Sequence, residues 1–319
     1  MSAQRHVLVT GPLLDPAPTL LAERCLVVHP EGRALPEAAA GCAGIVAHHN
    51  DQVDEALLST PGLRVLATVA VGTDNIDLAA ATRHGVVVTN TPGVLEEAVA
   101  DLTLGLLLAA SRRIGEAERA IRSGAWAGWE LDQFLGLDLG GATLGVVGFG
   151  GIGSAVARRA RGFGMRILYT ARSRRPAAVE VACGVEFRSL HDLLCESDVV
   201  SLHVPLTPLT RHLIGAPELE LMKPDAILLN TSRGPVVDET ALAAALEAGR
   251  LWAAGLDVYE EEPRPHPALL RSERVVLTPH IGSATIGARS AMCVTAVRNV
   301  IAVLAGERAP NPVNPEVLV

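Results

Sequence analysis

Residues 143–175, TLGVVGFGGIGSAVARRARGFGMRILYTARSRR, constrain this chain more than any other stretch. A short apolar run, Leu144 to Val147, passes directly into Gly148-Phe149-Gly150-Gly151-Ile152-Gly153. An Ala- and Arg-rich helical segment follows, and then a second apolar run from Met165 to Tyr169. Strand, glycine turn, helix and strand in that order form the unit that holds a dinucleotide pyrophosphate. Gly148 permits the tight turn, Gly150 lets the backbone approach phosphate, and Gly153 lets helix and strand pack closely. Gly151 and Ile152 complete the turn, where the helix start offers unpaired N–H groups and a partial positive charge. Glycine-rich turns are common; the place of this one between a strand and a helix makes dinucleotide binding the expectation.

A length of 319 residues predicts two domains, and 49% apolar residues predict a globular chain with sizeable cores. The net charge of −8 argues against nucleic acid or an anionic membrane as partner. Five scattered cysteines without a CxxC pair fit reduced thiols in a cytoplasm and offer no metal site. The N-terminal MSAQRHVLVTG lacks the apolar core of a signal peptide. The apolar stretch Leu102 to Ala110 is far below the ~20 residues of a bilayer span and predicts a buried helix.

In chain order, short apolar runs at 6–9, 26–29, 44–47, 64–71 and 86–89 alternate with helical patterns. That alternation predicts a parallel sheet. This block has no glycine fingerprint, so it is expected not to bind the dinucleotide. Asn90-Thr91-Pro92-Gly93 breaks the pattern, and residues 96–122 read as one long connecting helix. Residues 126–141, rich in Gly, Trp and Leu without a clear period, read as an arm packing on a partner subunit. Beyond the glycine turn, further strands are expected at 185–187, 199–203, 226–230, 253–258 and 275–278, with a last helix at 288–305. The expected fold is α/β, with two Rossmann-like or flavodoxin-like parallel-sheet domains and an active-site cleft between them. Residues 1–97, completed by 287–319, would form the substrate domain, and 98–286 the inserted dinucleotide-binding domain.

Catalytic groups in such sheets lie beyond the C-terminal ends of strands. Three places fit: Thr231-Ser232-Arg233-Gly234 after ILLN, Tyr259-Glu260-Glu261-Glu262-Pro263 after GLDV, and His280-Ile281-Gly282-Ser283 after VVLTP. An arginine fork suits a carboxylate, and a histidine moves protons near neutral pH. A glutamate paired with that imidazole orients it and favours its protonated form. Singly, each has a plainer reading as helix cap, solvated acidic loop or turn residue; His203, ending a strand, fits cofactor lining and packing equally well. Together with the glycine turn they form a coherent set.

At these residues the chain resembles the D-isomer-specific 2-hydroxyacid dehydrogenases over nearly its full length. The motifs are VGTDNID (71–77), NTPGVLEEAVADLTLGLLL (90–108), GFGGIG (148–153), SLHVPLTPLTRHLI (201–214), NTSRGPVVDETAL (230–242), GLDVYEEEP (255–263) and PHIGSAT (279–285). The resemblance implies Arg233 as substrate anchor, Glu262 as partner of the histidine, since it directly precedes the proline, and His280 as general acid/base. It places Pro205, Thr231, Asp257 and Gly282 with His203 around the cofactor. Val71, Gly72, Leu95 and Ser283 join Arg233 as substrate contacts. It also implies a homodimer formed through the cofactor domain.

The second strand of the nucleotide unit ends in Tyr169-Thr170-Ala171-Arg172-Ser173-Arg174-Arg175, with three arginines and no acid. NAD sites carry an acid in this region, whereas an arginine fork accepts a 2′-phosphate. The expected cofactor is therefore NADP(H) in preference to NAD(H), held by Arg172 and Ser173 with Arg174 a further candidate. The wording of TNTPGVLEEAVADL and YTARSRRP is most similar to the glyoxylate/hydroxypyruvate reductase branch. That branch implies hydride transfer to a small 2-keto acid protonated by His280. Alternatives are a 2-ketogluconate reductase, a phosphite dehydrogenase or a non-catalytic dinucleotide sensor. A formate dehydrogenase would carry glutamine where Glu262 stands.

Overall fold

Parallel pairing dominates the computed structural model, which describes residues 5–318. The chain divides into one unit from Met1–Leu95 with Ser283–Val319 and another from Glu96–Gly282. These divisions fall slightly before the expected 97 and 286. Glu96 opens a helix that belongs wholly to the second unit, while the last helix, Ile286–Ala305, belongs wholly to the first.

The first unit holds a five-stranded sheet of β1 (Arg5–Val9), β2 (Cys25–Val28), β3 (Gly44–Ala47), β4 (Val65–Thr68) and β5 (Val87–Thr89), in the order β2-β1-β3-β4-β5. Strands β3 and β4 are buried along their whole length, which explains why they read as unbroken apolar runs. The fourth strand ends at Thr68, short of the expected residue 71, because the chain turns there: Thr91 N–H bonds the Ala70 carbonyl. The helix Ile286–Ala305 lies on β3 and β4; Thr285 caps its start, and Gly306 ends it in the left-handed region at φ 86°. Among the described residues it is the one helix long and apolar enough to cross a membrane, and more than half of its apolar window is buried in this unit.

The second unit holds a seven-stranded parallel sheet. Its strands are β6 (Thr143–Val147), β7 (Arg166–Thr170), β8 (Val185–Phe187), β9 (Val199–Leu202), β10 (Ile227–Asn230), β11 (Ala253–Leu256) and β12 (Val275–Leu277). Their order, β12-β11-β10-β9-β6-β7-β8, reverses direction between β6 and β9. Such a reversal is where open α/β sheets bind ligands. One core layer gathers Leu228, Leu242, Leu256 and Ile214; the other gathers Leu144, Val156, Ile167 and Tyr169.

Residues 96–122 form two helices, Glu96–Ser111 and Ile114–Arg122, in place of the single helix expected. The break is Arg113, at φ 54° and ψ 34°. The Ser111 carbonyl accepts the N–H of Leu137, 2.9 Å away, so the returning chain satisfies the end of the first helix. Gly136 makes that approach possible, since a Cβ there would lie 2.3 Å from the Ser111 oxygen. Between these helices and β6, residues 126–141 carry no helix or strand, as their lack of period predicted.

Candidate active site

The order of strands in the second sheet orders the candidate residues. From β6 to β12 the strand ends carry, in turn, the glycine turn, His203, Thr231 to Arg233, Asp257 to Glu262, and His280. At roughly 5 Å between neighbouring strands, this row is roughly 20 Å long.

At β6, Gly148 has φ 96°, and a Cβ on it would lie 2.4 Å from the His203 carbonyl oxygen. The N–H of His203 bonds the Val147 carbonyl at 2.7 Å, so the two strand ends at the reversal are joined. A Cβ on Gly153 would meet the Gly148 oxygen at 2.1 Å, which is the close helix–strand approach the sequence required. Around Gly150 the space is open, and the helix Gly151–Arg161 that it begins has no side-chain cap. An open cradle over uncapped N–H groups at Gly151, Ile152 and Gly153 fits a dinucleotide pyrophosphate.

The end of β7 refines the sequence reading. Arg172 and Ser173 stand exposed, but Arg174 is committed to Glu180 through Nε and Nη2 at 2.9 and 2.8 Å. Glu180, on the helix Ala177–Cys183, lies beyond the stretch inspected for an acid. It is buried and also accepts the Tyr169 hydroxyl at 2.8 Å, so its charge is sequestered. The Arg174 guanidinium first, and that hydroxyl second, hold its carboxyl below the usual range. Arg175 is tied back by its N–H to the Tyr169 hydroxyl and by Nη2 to the Phe149 carbonyl of the glycine turn.

His203 is half-buried, and its ring nitrogens face inward: Nε2 lies 2.8 Å from Ser201 Oγ, while Nδ1 is buried with no partner among the described residues. Burial pushes its pKa down to about 3, so the ring is neutral at physiological pH. Pro205 is exposed, and its carbonyl accepts Thr210 Oγ1 at 2.6 Å. Thr231 shares a 2.9 Å bond with the buried Thr103 of the helix Glu96–Ser111.

Asn230, which sequence reasoning treated as the end of a strand, shapes the turn that carries Arg233. Its Oδ1 accepts Ser232 N–H and Oγ, and its Nδ2 donates to the Arg233 carbonyl at 2.9 Å. Gly234 follows because a Cβ there would lie 1.8 Å from the Tyr259 carbonyl. The turn of β10 thus rests directly on the loop of β11.

Asp257 does more than the cofactor lining the resemblance implied. It is 1% exposed; Oδ1 accepts Thr278 Oγ1 and Ile281 N–H at 2.6 and 2.8 Å, and Oδ2 accepts Gly282 N–H at 2.7 Å. Its carbonyl accepts His280 N–H at 2.8 Å. His280 is thereby held at φ 53°, a conformation non-glycine residues rarely adopt. Its Nδ1 lies 2.8 Å from Glu262 Oε2, with the two side chains 30% and 32% exposed. Tyr259 N–H reaches Glu262 Oε1 at 3.2 Å, and the Tyr259 hydroxyl donates to the Thr278 carbonyl at 2.8 Å. Burial first, then the Asp257 charge, pushes that phenol up to about 12, which keeps the donor proton in place. The three successive glutamates divide: Glu262 meets His280, Glu260 meets His212 at 2.5 Å, and Glu261 pairs with Arg264 in solvent. An acid ending the otherwise apolar β11 was the visible signal for Asp257.

The remaining substrate candidates lie in the first unit. Val71 follows β4, and its carbonyl accepts Asn90 Nδ2 at 2.9 Å, with Gly72 next in the turn. Leu95 is buried, and Ser283 precedes the last helix, its carbonyl accepting Thr285 N–H at 2.7 Å.

Residues 104–282 match the family described as D-isomer specific 2-hydroxyacid dehydrogenase, NAD binding domain. The glyoxylate reductase of Thermococcus litoralis is 54% identical over 273 residues, covering 84% of this chain and 82% of that protein. That of Aeropyrum pernix is 52% identical, with the same coverage. A solved protein from Thermus thermophilus superimposes with a TM-score of 0.90 at 47% identity, covering 97% of this chain and 99% of its own. The NADPH-dependent glyoxylate/hydroxypyruvate reductase of Sinorhizobium meliloti, solved with NADP and malonate, gives 0.88 at 34% identity, covering 98% and 97%.

The buried, neutral His203 makes stability depend on pH. Its folded pKa lies below the unfolded value, so the unfolded chain binds the proton first, and stability is lost as pH falls below ~6.5 toward about 3. Its share of the slope is at most ~1.4 kcal/mol per pH unit. Denaturant unfolding of wild type and His203→Gln between roughly pH 7 and 5 should show the variant less sensitive to acid. Parallel curves would mean that the ring titrates alike in both states.

Proposed function

The chain belongs to the D-isomer specific 2-hydroxyacid dehydrogenase family, and on that basis we propose that it reduces glyoxylate or hydroxypyruvate to the D-2-hydroxy acid with NADPH. The observation that carries this reading is the Glu262–His280 pair, 2.8 Å apart beyond the ends of β11 and β12, the two strands next in the sheet to the β10 turn bearing Arg233. When bound, the reduced nicotinamide supplies the hydride. Arg233 holds the substrate carboxylate through its planar fork and so orients the 2-keto carbon. Glu262 engages Nδ1 of His280 and orients the ring, and Nε2 of the same ring delivers a proton to the keto oxygen. The small substrate is supported by relatives named glyoxylate reductase at about half identity. NADPH is supported by exposed Arg172 and Ser173 beside a glutamate already neutralised by Arg174.

The family's homodimer is supported by residues 126–141. Trp129 and Leu131 are 79% and 80% exposed, and the helix Ile114–Arg122 has no buried residue. A second copy of the chain covers this surface.

Oxidation of NADPH and NADH should be followed with glyoxylate, hydroxypyruvate, 2-ketogluconate and pyruvate. Fast NADPH-linked reduction of the first two is expected; NADPH binding without turnover on any keto acid would favour a dinucleotide sensor. Arg172→Ala should raise the NADPH KM ~10-fold or more while moving the NADH KM by ~2-fold at most. Equal losses would put the 2′-phosphate elsewhere. His280→Ala should lower kcat by ~100-fold or more with NADPH affinity, read by fluorescence titration, unchanged. Near-normal turnover would remove the proposed acid. Sedimentation should report a dimer that dissociates in Trp129→Ser/Leu131→Ser, and a wild-type monomer would refute the arm.

A further inference from the structure

One buried carboxylate outside the reacting pair controls the loop that carries Glu262. Glu239 is 5% exposed and opens the helix Glu239–Glu247. Its Oε1 accepts the N–H of Glu260 at 2.7 Å, and its Oε2 accepts the N–H of His266 at 2.9 Å. Both ends of the segment 260–266 are therefore tied to the same side chain, and Glu262 lies between them. The tie is reciprocal, because Glu239 N–H donates to Glu260 Oε2 at 3.3 Å. Glu260 Oε1 in turn lies 2.5 Å from His212 Nε2.

The chemistry requires a carboxylate at this position. Two separate acceptor oxygens must face two N–H groups, and both partners are backbone amides of the loop. Its negative charge is accommodated at a helix N-terminus, where N–H dipoles converge. An amide of the same shape has one acceptor and one donor, so it must leave one of the two loop N–H groups facing an NH2. A loose loop end matters here because a proton donor loses rate steeply when its orienting partner drifts by about an ångström.

We propose that Glu239 is a positioning residue for the reaction: it fixes Glu262, and through Glu262 the ring of His280. The inference rests on the reading of Glu262 and His280 as the proton-delivering pair. The hydrogen bonds of the Glu239 carboxylate go to the backbone of Glu260 and His266, so its effect on the reaction passes through Glu262.

The test is a double-mutant cycle with glyoxylate and NADPH, using E239Q, E262Q and the double variant, with fluorescence titration of NADPH and thermal unfolding of each. Glu239→Gln should lower kcat ~10-fold with the NADPH affinity unchanged, and should cost less than ~2-fold when added to E262Q. A purely structural Glu239 would give the same loss in both backgrounds, or lower the melting temperature without changing kcat, and either result overturns the proposal. An unimpaired E262Q sinks the assignment of the pair itself, and this role for Glu239 with it. Should E239Q fail to fold, Glu260→Gln serves in the same cycle, since it removes one reciprocal acceptor and leaves the backbone N–H in place. It should lower kcat ~3-fold in the wild-type background and not at all in E262Q. Equal effects in the two backgrounds would again refute the brace.

Discussion

The loop that presents His280 hangs from the carboxylate of Asp257. That side chain is buried at the end of β11 and commits three hydrogen bonds to Thr278, Ile281 and Gly282. Burying a charge is costly unless its lone pairs are filled, and here the donors that fill them are the loop itself. The same strand end then fixes two elements at once. Its carbonyl takes the N–H of His280, and two residues later Tyr259 sends its hydroxyl back to Thr278. The left-handed backbone at His280 persists because the hydrogen bonds on either side of it over-determine it.

Much of this was legible in the sequence, and the reasons differ by element. Strands buried on both faces announce themselves as apolar runs, so β3, β6 and β10 lie within a residue of where the sequence put them, while β4 stops three residues short. The glycine turn was legible because Gly148 and Gly153 answer separate steric demands while Gly150 leaves its side of the turn open. Arg233 and His280 stood out as candidates because the ends of parallel strands are where such sheets place chemistry, and Glu262 was singled out from its neighbours only by the family resemblance. The break at Arg113 was not legible. It depends on Gly136 and Leu137 returning to the Ser111 carbonyl, a contact between segments that no local window contains. The role of Glu180 was hidden likewise, since a carboxylate in a helix is informative only once Tyr169 and Arg174 are seen to occupy it.

The polar groups of the second unit therefore fall into two kinds, separated by how their hydrogen bonds are satisfied. Asp257 and Glu239 are sealed, and their oxygens face N–H and O–H donors that hold loops in place. Glu180 is sealed too, by a tyrosine and an arginine, which takes a negative charge away from the end of β7. Glu262 and His280 differ in keeping about a third of each side chain exposed while touching one another. A group that must exchange a proton with a substrate needs that access, and a group that only holds geometry gains from losing it, because low dielectric strengthens its hydrogen bonds. The pair proposed to deliver the proton is partly open, whereas the carboxylates that hold its loops are closed. The hydrogen bonds of Asp257 and Glu239 hold the two loops whose side chains meet at 2.8 Å without being buried.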